Sequence, residues 1–410
     1  MRMRDSRMLS VAFIGHVDHG KSTLLGRLLT DMHAVPPQVF EEARQAGSGD
    51  VLAFLSDQFR EEREQLQTID TTQRLVRGSR RSFLCIDTPG HLEFLENMLT
   101  GVTKADAAVL VVDAGEGVRE QTRRHLWLAR LLGIEQMIVA VNKMDRVGFS
   151  AARFQELCGE ISRGCGHQRV FLRAVIPVSA RDGDMVCRRS PRIAWYRGKT
   201  LLAALNACRM RQPAIHEPLR MPVQDVYHVQ DDVVAVGRIG AGVVRRGGRV
   251  VVLPAGGAAR VKSLRKFERP PLAAARAGES IGISLSGVPL ARGAVICGGR
   301  LPAAVREFPA VVLWLAGVPA EKGAGVTVRI ATQEQNAVIA EIIRRFDSAT
   351  LEPLGADAAV RQYELARMRI ATSDPVVIEA DCPQRELGRF VLEQAGSVVG
   401  LGVIGAAEHA

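Results

Sequence analysis

No two of the seven cysteines stand in a CxxC pair, and the nine histidines form no HExxH. The cysteines (Cys85, Cys158, Cys165, Cys187, Cys208, Cys297 and Cys382) are scattered and odd in number. That pattern does not support a disulfide framework or a zinc site and fits buried or idle thiols in a reducing compartment. No apolar run is long enough to span a bilayer. The short run behind the basic start Met1-Arg2-Met3-Arg4 leads straight into a glycine loop, so it reads as a core strand and not as the middle of a signal peptide. A cytoplasmic protein without a membrane partner is expected. Internal repeats, low-complexity tracts and coiled-coil heptads are also missing. What is there is a chain of 410 residues, 47% hydrophobic, long enough for two or three domains. Its formal charge of +10 has two readings. A basic surface meets nucleic acid or an acidic protein, whereas arginine dispersed through an alanine-rich chain is also what a compositional bias leaves behind.

The stretch Gly15–Ser22, GHVDHGKS, organises the rest. It follows the apolar run Val11–Ile14 and precedes a helix-like segment from Thr23, the strand, loop and helix context of a phosphate-cradling loop. Gly15 and Gly20 let the backbone between them (His16, Val17, Asp18, His19) curl so that successive N–H groups point at an anion. The helix that follows adds its positive N-terminal end. In this pattern Lys21 reaches the β- and γ-phosphates and the Ser22 hydroxyl holds Mg²⁺.

From residue 10 to about 180 apolar runs alternate with amphipathic ones. Val11–Ile14, Ser82–Ile86, Ala107–Val112, Gln136–Val141 and Ala174–Val178 read as buried strands, and Gln121–Leu132 and Ala151–Ile161 as helices between them. The alternation implies an α/β domain, a mostly parallel sheet with helices on both faces and ligands at the carboxyl ends of the strands. Asp31–Gln65 is a long polar insertion with two helix-like pieces. Pro213, Pro218 and Pro222 mark a linker. Beyond it, short Val/Ile strands broken by glycines predict two β-barrel domains. The expected division is 1–212, 219–303 and 306–410.

Three further motifs follow strands of the first domain. Asp87-Thr88-Pro89-Gly90-His91 comes after Ser82–Ile86; its carboxylate can hold magnesium through water and its Gly90 N–H can meet a γ-phosphate. Asn142-Lys143-Met144-Asp145 comes straight after Gln136–Val141. The Asp145 carboxylate can accept from the N1–H and exocyclic amine of guanine, donors that adenine lacks, while Asn142 and the stem of Lys143 brace the loop and cover the base. Ser179-Ala180 ends the next strand and offers a backbone N–H to the guanine oxygen. Four pieces in this order point to GTP or GDP with Mg²⁺.

GHVDHGKS, DTPGH and NKMD together resemble the signature of the translation-factor superfamily of GTPases, here followed by two β domains as in elongation factor Tu. The resemblance spans nearly the whole chain, and Gly388–Gly405 is similar to that family's closing strands. It implies that Gly15 to Thr23 contact the nucleotide. It also implies that Thr68 is the switch threonine that ligates Mg²⁺ in the GTP state and that His91 positions the attacking water. One departure stands out: Leu66-Gln67 occupies the place of the family's Gly-Ile, which weakens the apolar gate formed with Val17. No arginine finger in cis is evident. Slow intrinsic hydrolysis is expected, on the order of 10⁻³ per second or below.

Within the superfamily the chain most resembles the GTPase subunit of bacterial ATP sulfurylase. Gln121-Thr122-Arg123-Arg124-His125, Trp195–Leu202 and Leu313-Trp314-Leu315 with Gly317-Val318-Pro319 carry that likeness. It implies a regulatory GTPase that drives adenylyl-sulfate formation by a separate small catalytic subunit, docked on the insertion and on the region Gly90–Leu99. Against it, His19 is the elongation-factor form of the loop, where the sulfurylase subunit commonly has aspartate. The alternative is an elongation-factor-like GTPase that delivers aminoacyl-tRNA to the ribosome, its arginines from Arg238 to Arg276 tracking phosphates.

Overall fold

The structure, a computed structural model, describes residues 8–34, 73–78, 80–87, 105–131, 133–166, 171–212, 214–229, 232–266, 270–355, 359–380, 382 and 386–405. They divide into two compact units, Met1–Arg211 and Gln212–Ala410. Among the described residues no helix is long and apolar enough to cross a membrane.

The first unit is built on strands β1 (Met8–Gly15), β2 (Gln73–Arg77), β3 (Ser82–Asp87), β4 (Ala107–Asp113), β5 (Gln136–Asn142) and β6 (Phe171–Pro177). They lie in the order β2-β3-β1-β4-β5-β6; β2 runs antiparallel to β3 and the others are parallel. Helices α1 (Lys21–Asp31), α2 (Glu120–Leu131), α3 (Ala151–Gly166) and α4 (Leu201–Ala207) connect and cover them. Every residue of β4 and β5 is buried, which is why these strands read in the sequence as unbroken apolar runs and not as alternations. Leu24, Leu25, Leu28 and Leu29 of α1 recur at helical spacing and pack with Phe13, Phe83 and Val109 of the sheet. The parallel strands all end on the same edge. With β1 lying between β3 and β4, the crevice where a ligand is received opens at the carboxyl end of β1.

The second unit is all β. Strands β7 (Arg220–Pro222), β8 (Asp225–Val229), β9 (Asp232–Arg238), β10 (Val243–Arg245), β11 (Arg249–Leu253), β12 (Gly257–Arg265), β13 (Ala274–Arg276), β14 (Ser280–Ser286) and β15 (Val295–Cys297) come first. They form a seven-stranded antiparallel sheet, β7-β15-β11-β12-β14-β9-β8, and a two-stranded ribbon, β10-β13. Next come β16 (Ala303–Trp314), β17 (Gly325–Ile330), β18 (Gln333–Asp347), β19 (Glu364–Ile378), β20 (Arg389–Gln394) and β21 (Ser397–Ile404), which close into a barrel, β16-β19-β18-β17-β20-β21. β19 runs unbroken from Glu364 to Ile378; a register shift between Val305 and Glu307 on its partner accommodates its extra residues. Leu253, Val295 and Cys297 of the first β body pack into the core of the second. Arg220 of β7 pairs with Glu379 at 2.9 Å, joining the two bodies through a buried ion pair.

Candidate nucleotide site

The loop after β1 is held in a shape that only its sequence permits. Gly15 has φ 143° and a β-carbon there would lie 2.5 Å from the Val111 carbonyl oxygen of β4. Gly20 has φ 85° and caps α1 without offering a side chain to its free N–H groups. A β-carbon on Gly20 would meet Asn142 Nδ2 at 2.5 Å. The first N–H groups of a helix have no partner within it; here they face a crevice at the switch point of a parallel sheet, the arrangement that takes an anion.

Lys21, the first residue of α1, is buried and folds back over the loop, its Nζ donating to the carbonyl oxygens of Gly15 and His16, each at 2.8 Å. Burial pulls its ammonium down to about 8, although the carboxylates of Asp87 and Asp18 favour the charged form. A buried cation beside an uncapped helix start fits phosphate oxygens. Ser22 follows it in the first turn of α1, and Asp87 ends β3 close enough for its charge to act on Lys21. A hydroxyl and a carboxylate are hard oxygen donors, which suit magnesium.

The base side is assembled by Asn142. Its amide is buried at the end of β5, where Nδ2 donates to the His19 carbonyl at 2.9 Å and Oδ1 accepts from the Ala180 N–H at 2.9 Å. One side chain therefore joins the phosphate loop to the Ser179-Ala180 loop. The sequence expects a backbone N–H of Ser179-Ala180 to face the guanine oxygen; here the Ala180 N–H donates to Asn142 Oδ1 and the Ser179 N–H to the Asp184 carbonyl at 3.2 Å. Asp145 Oδ1 accepts from the Ser179 hydroxyl at 2.8 Å, which fixes the carboxylate that the sequence assigns to guanine. Lys143 sits at φ 61°, with its Nζ 2.7 Å from Asp113 Oδ2 at the end of β4.

His19 is fully buried between these loops, with Nδ1 3.2 Å from the Val111 carbonyl and Nε2 3.6 Å from Glu116 Oε2. Burial drives its imidazole below the ordinary value against the pull of Val111, so the ring is neutral near neutrality. His16 is half-buried and lies edge-on to it at 5.1 Å. Val17 is half-buried and Asp18 exposed, at φ 61°. Thr23 follows Ser22 in α1.

Gly15, His16, Val17, Asp18, His19, Gly20, Lys21, Ser22, Thr23, Asp87, Asn142, Lys143, Asp145, Ser179 and Ala180 thus lie on loops, strand ends or a helix start at one edge of the sheet. Thr68, Gly90 and His91 lie outside the described residues, as do Leu66-Gln67, residues 35–65 of the insertion and the region 90–99. Two positions escaped sequence reading. Arg27 of α1 donates from Nε to the Ala180 carbonyl at 3.0 Å and from Nη2 to the Arg181 carbonyl, so the helix after the phosphate loop also steadies the base loop. Asp113 is the other; its only sequence signal is that it is the polar residue ending the apolar run Ala107–Val112.

The family model of the elongation factor Tu GTP binding domain matches residues 6–211, and that of the GTP-eEF1A C-terminal domain-like family matches residues 307–405. Elongation factor 1-alpha of Thermoplasma acidophilum is 37% identical over 96% of this chain and 96% of its own. The protein of the same name from Thermoplasma volcanium is 38% identical over 96% of each, and that from Archaeoglobus fulgidus 36% over 98% of each. A solved structure of sup35 complexed with GDP is 23% identical, covers 98% of this chain and 94% of its own, and has a TM-score of 0.44.

These relatives overturn the expectation of a sulfate adenylyltransferase subunit and, with it, the ATP-sulfurylase small subunit as partner. The stretches that carried that expectation turn out to be packing residues. Trp195 Nε1 donates to the Phe149 carbonyl, Tyr196 Oη to that of Val175 and Trp314 Nε1 to that of Val318, while Thr122 and His125 are buried in α2. Such residues report a shared fold and not a shared partner, whereas His19 in the loop itself is of the elongation-factor form. The chain belongs to the translation-factor GTPases of the elongation factor Tu and 1-alpha family.

Proposed function

We propose that the protein is an elongation-factor-like translational GTPase that carries aminoacyl-tRNA to the ribosome in its GTP-bound form. The observation that carries the nucleotide half is the Asn142 joint, which brings the loop Gly15–Ser22, the Asp145 carboxylate and the Ser179-Ala180 loop into one crevice. In this reading the N–H groups from Gly15 to Thr23 and the Lys21 ammonium bind the phosphates, Asp145 selects guanine, and Asn142, Ser179 and Ala180 hold the base loop in place. Ser22, Asp87 and, in the GTP state, Thr68 would hold Mg²⁺, which would neutralise charge on the phosphates. The Gly90 N–H meets the γ-phosphate and His91 orients the attacking water. Positioning and charge neutralisation are nearly all that phosphoryl transfer asks of a protein.

The delivery half is supported by near-full-length identity to proteins named elongation factor 1-alpha. The first β body of the second unit also offers a cavity of about 470 Å³ lined by Arg246, Arg265 and Lys266 with Ser263, Leu264 and Pro271. Arg265 pairs with Asp232 at 2.8 Å and Lys266 with Glu279 at 3.3 Å, so a phosphodiester chain would bind here by taking the place of those carboxylates. The test is retention of aminoacyl-tRNA on a filter by the purified chain loaded with a non-hydrolysable GTP analogue or with GDP. Retention with the analogue and at least tenfold less with GDP is expected; equal retention, or none, refutes the delivery reading.

A further inference from the structure

Asp113 takes no part in the nucleotide site as read from the sequence, yet it is almost fully buried beside it. It ends β4 in parallel register with Asn142 of β5. Its Oδ1 accepts from the Gly115 N–H at 2.7 Å and from the Glu116 N–H at 3.3 Å, which leaves Oδ2 to face Lys143 Nζ at 2.7 Å. Burial alone raises a carboxyl, but the Lys143 ammonium and those two N–H groups outweigh it and hold Asp113 below the usual carboxylate range. The loop that supplies the N–H groups is itself pinned: Arg153 of α3 donates to the Ala114 carbonyl at 2.9 Å and the Gly115 carbonyl at 3.1 Å.

We propose that Asp113 is a positioning residue for the guanine base, acting through Lys143 to keep the wall of the base site in place and so to set how long the nucleotide stays bound. The proposal rests on the guanine-nucleotide reading above. A lysine stem is flexible and covers a planar ring poorly unless its far end is tethered. Here the tether is a charge-assisted hydrogen bond, shorter and stronger than a neutral one. The anchoring carboxylate is clamped from behind, so the ammonium cannot carry it along. Lys143 also occupies a left-handed φ of 61° that L side chains rarely adopt, so its surroundings, and not its own preference, place it.

The test is stopped-flow release of a fluorescent GDP from the full chain, comparing wild type with Asp113→Asn, Asp113→Ala, Lys143→Ala and the Asp113→Asn/Lys143→Ala double variant. Asparagine keeps an oxygen acceptor for the Gly115 N–H and sets an amide NH₂ where Oδ2 faces Lys143, removing both the charge and the acceptor there, so it spares the loop if Asp113→Ala unfolds it. Both Asp113 variants are expected to release GDP about 10–100-fold faster, the range for a lost charged hydrogen bond. The double variant should release no faster than Lys143→Ala, and competition by inorganic pyrophosphate, which has no base, should be unchanged throughout. Release from Asp113→Asn at the wild-type rate, additive effects in the double variant, or a parallel loss of pyrophosphate competition overturns the proposal while leaving the nucleotide reading standing. A wild-type chain that binds no GDP sinks both.

Discussion

Replacing Asn142 by alanine is the sharpest way to perturb the site, because one amide satisfies two buried backbone groups on different loops. Asn142→Ala leaves the His19 carbonyl and the Ala180 N–H without the partners they have at 2.9 Å. Both residues are buried, so water cannot easily replace the lost bonds. Each orphaned group costs about 1–3 kcal/mol, or about 2–6 kcal/mol together. The loss divides between two measurements. If the loops stay in place, the free protein becomes less stable; if they part to reach water, the cost reappears as weaker nucleotide binding. Urea unfolding of the nucleotide-free protein and titration with fluorescent GDP, summed, should therefore show a loss of at least about 2 kcal/mol. Asn142→Asp keeps an acceptor for Ala180 but sets a carboxylate oxygen against the His19 carbonyl, and its loss should be no smaller. A combined loss below about 1 kcal/mol for either variant, less than a single orphaned group costs, would refute the idea that Asn142 joins the two loops.

Other outcomes follow from neighbouring groups. Asp145→Asn should lower GTP affinity about 10–100-fold and raise that for XTP, read by competition; unchanged GTP affinity would mean the base pocket is misplaced. Ser179→Ala removes the hydroxyl donated to Asp145 and should weaken GDP binding by about tenfold, roughly the worth of one hydrogen bond to a charged group. His125, buried in α2 with its Nδ1 donating to the Gln121 carbonyl at 2.7 Å, is lowered by burial from 6.5 to about 4. The unfolded chain therefore takes up a proton near pH 6.5 that the folded one refuses until about pH 4. Stability should be unaffected by this group above pH 6.5 and fall by about 3 kcal/mol between there and pH 4. His125→Leu should flatten that limb in urea titrations across the range, and an unchanged acid limb would contradict it.

Much of the first unit was legible because its buried strands are continuous apolar runs and its chemistry begins where each run stops. Gly15, Asp87, Asn142 and Ser179 could be placed in loops or at strand ends without knowing which strand lies beside which. What depended on lateral neighbours could not be placed. The bond between Lys143 and Asp113 requires β4 beside β5 with Asp113 opposite Asn142, and the bond from Ala180 to Asn142 requires β6 on the other side. The edge strand β2 was missed because its five residues carry little apolar signal: Val76 is buried, but Leu75 beside it is exposed. The partner was misread for a related reason. Trp195, Tyr196 and Trp314 look distinctive in a sequence poor in those residues, yet each spends its polar atom on a nearby backbone carbonyl within its own unit.

The most direct measurement is equilibrium binding of fluorescent GTP and GDP to the purified chain with ATP as competitor, followed by aminoacyl-tRNA retention in each nucleotide state. Submicromolar binding of both guanine nucleotides, no displacement by ATP, and tRNA retained only with the triphosphate form is the expected result. Displacement by ATP at equal concentration, or a chain that holds tRNA equally in both states, would contradict the view that a guanine nucleotide in the crevice after β1 governs what this protein carries.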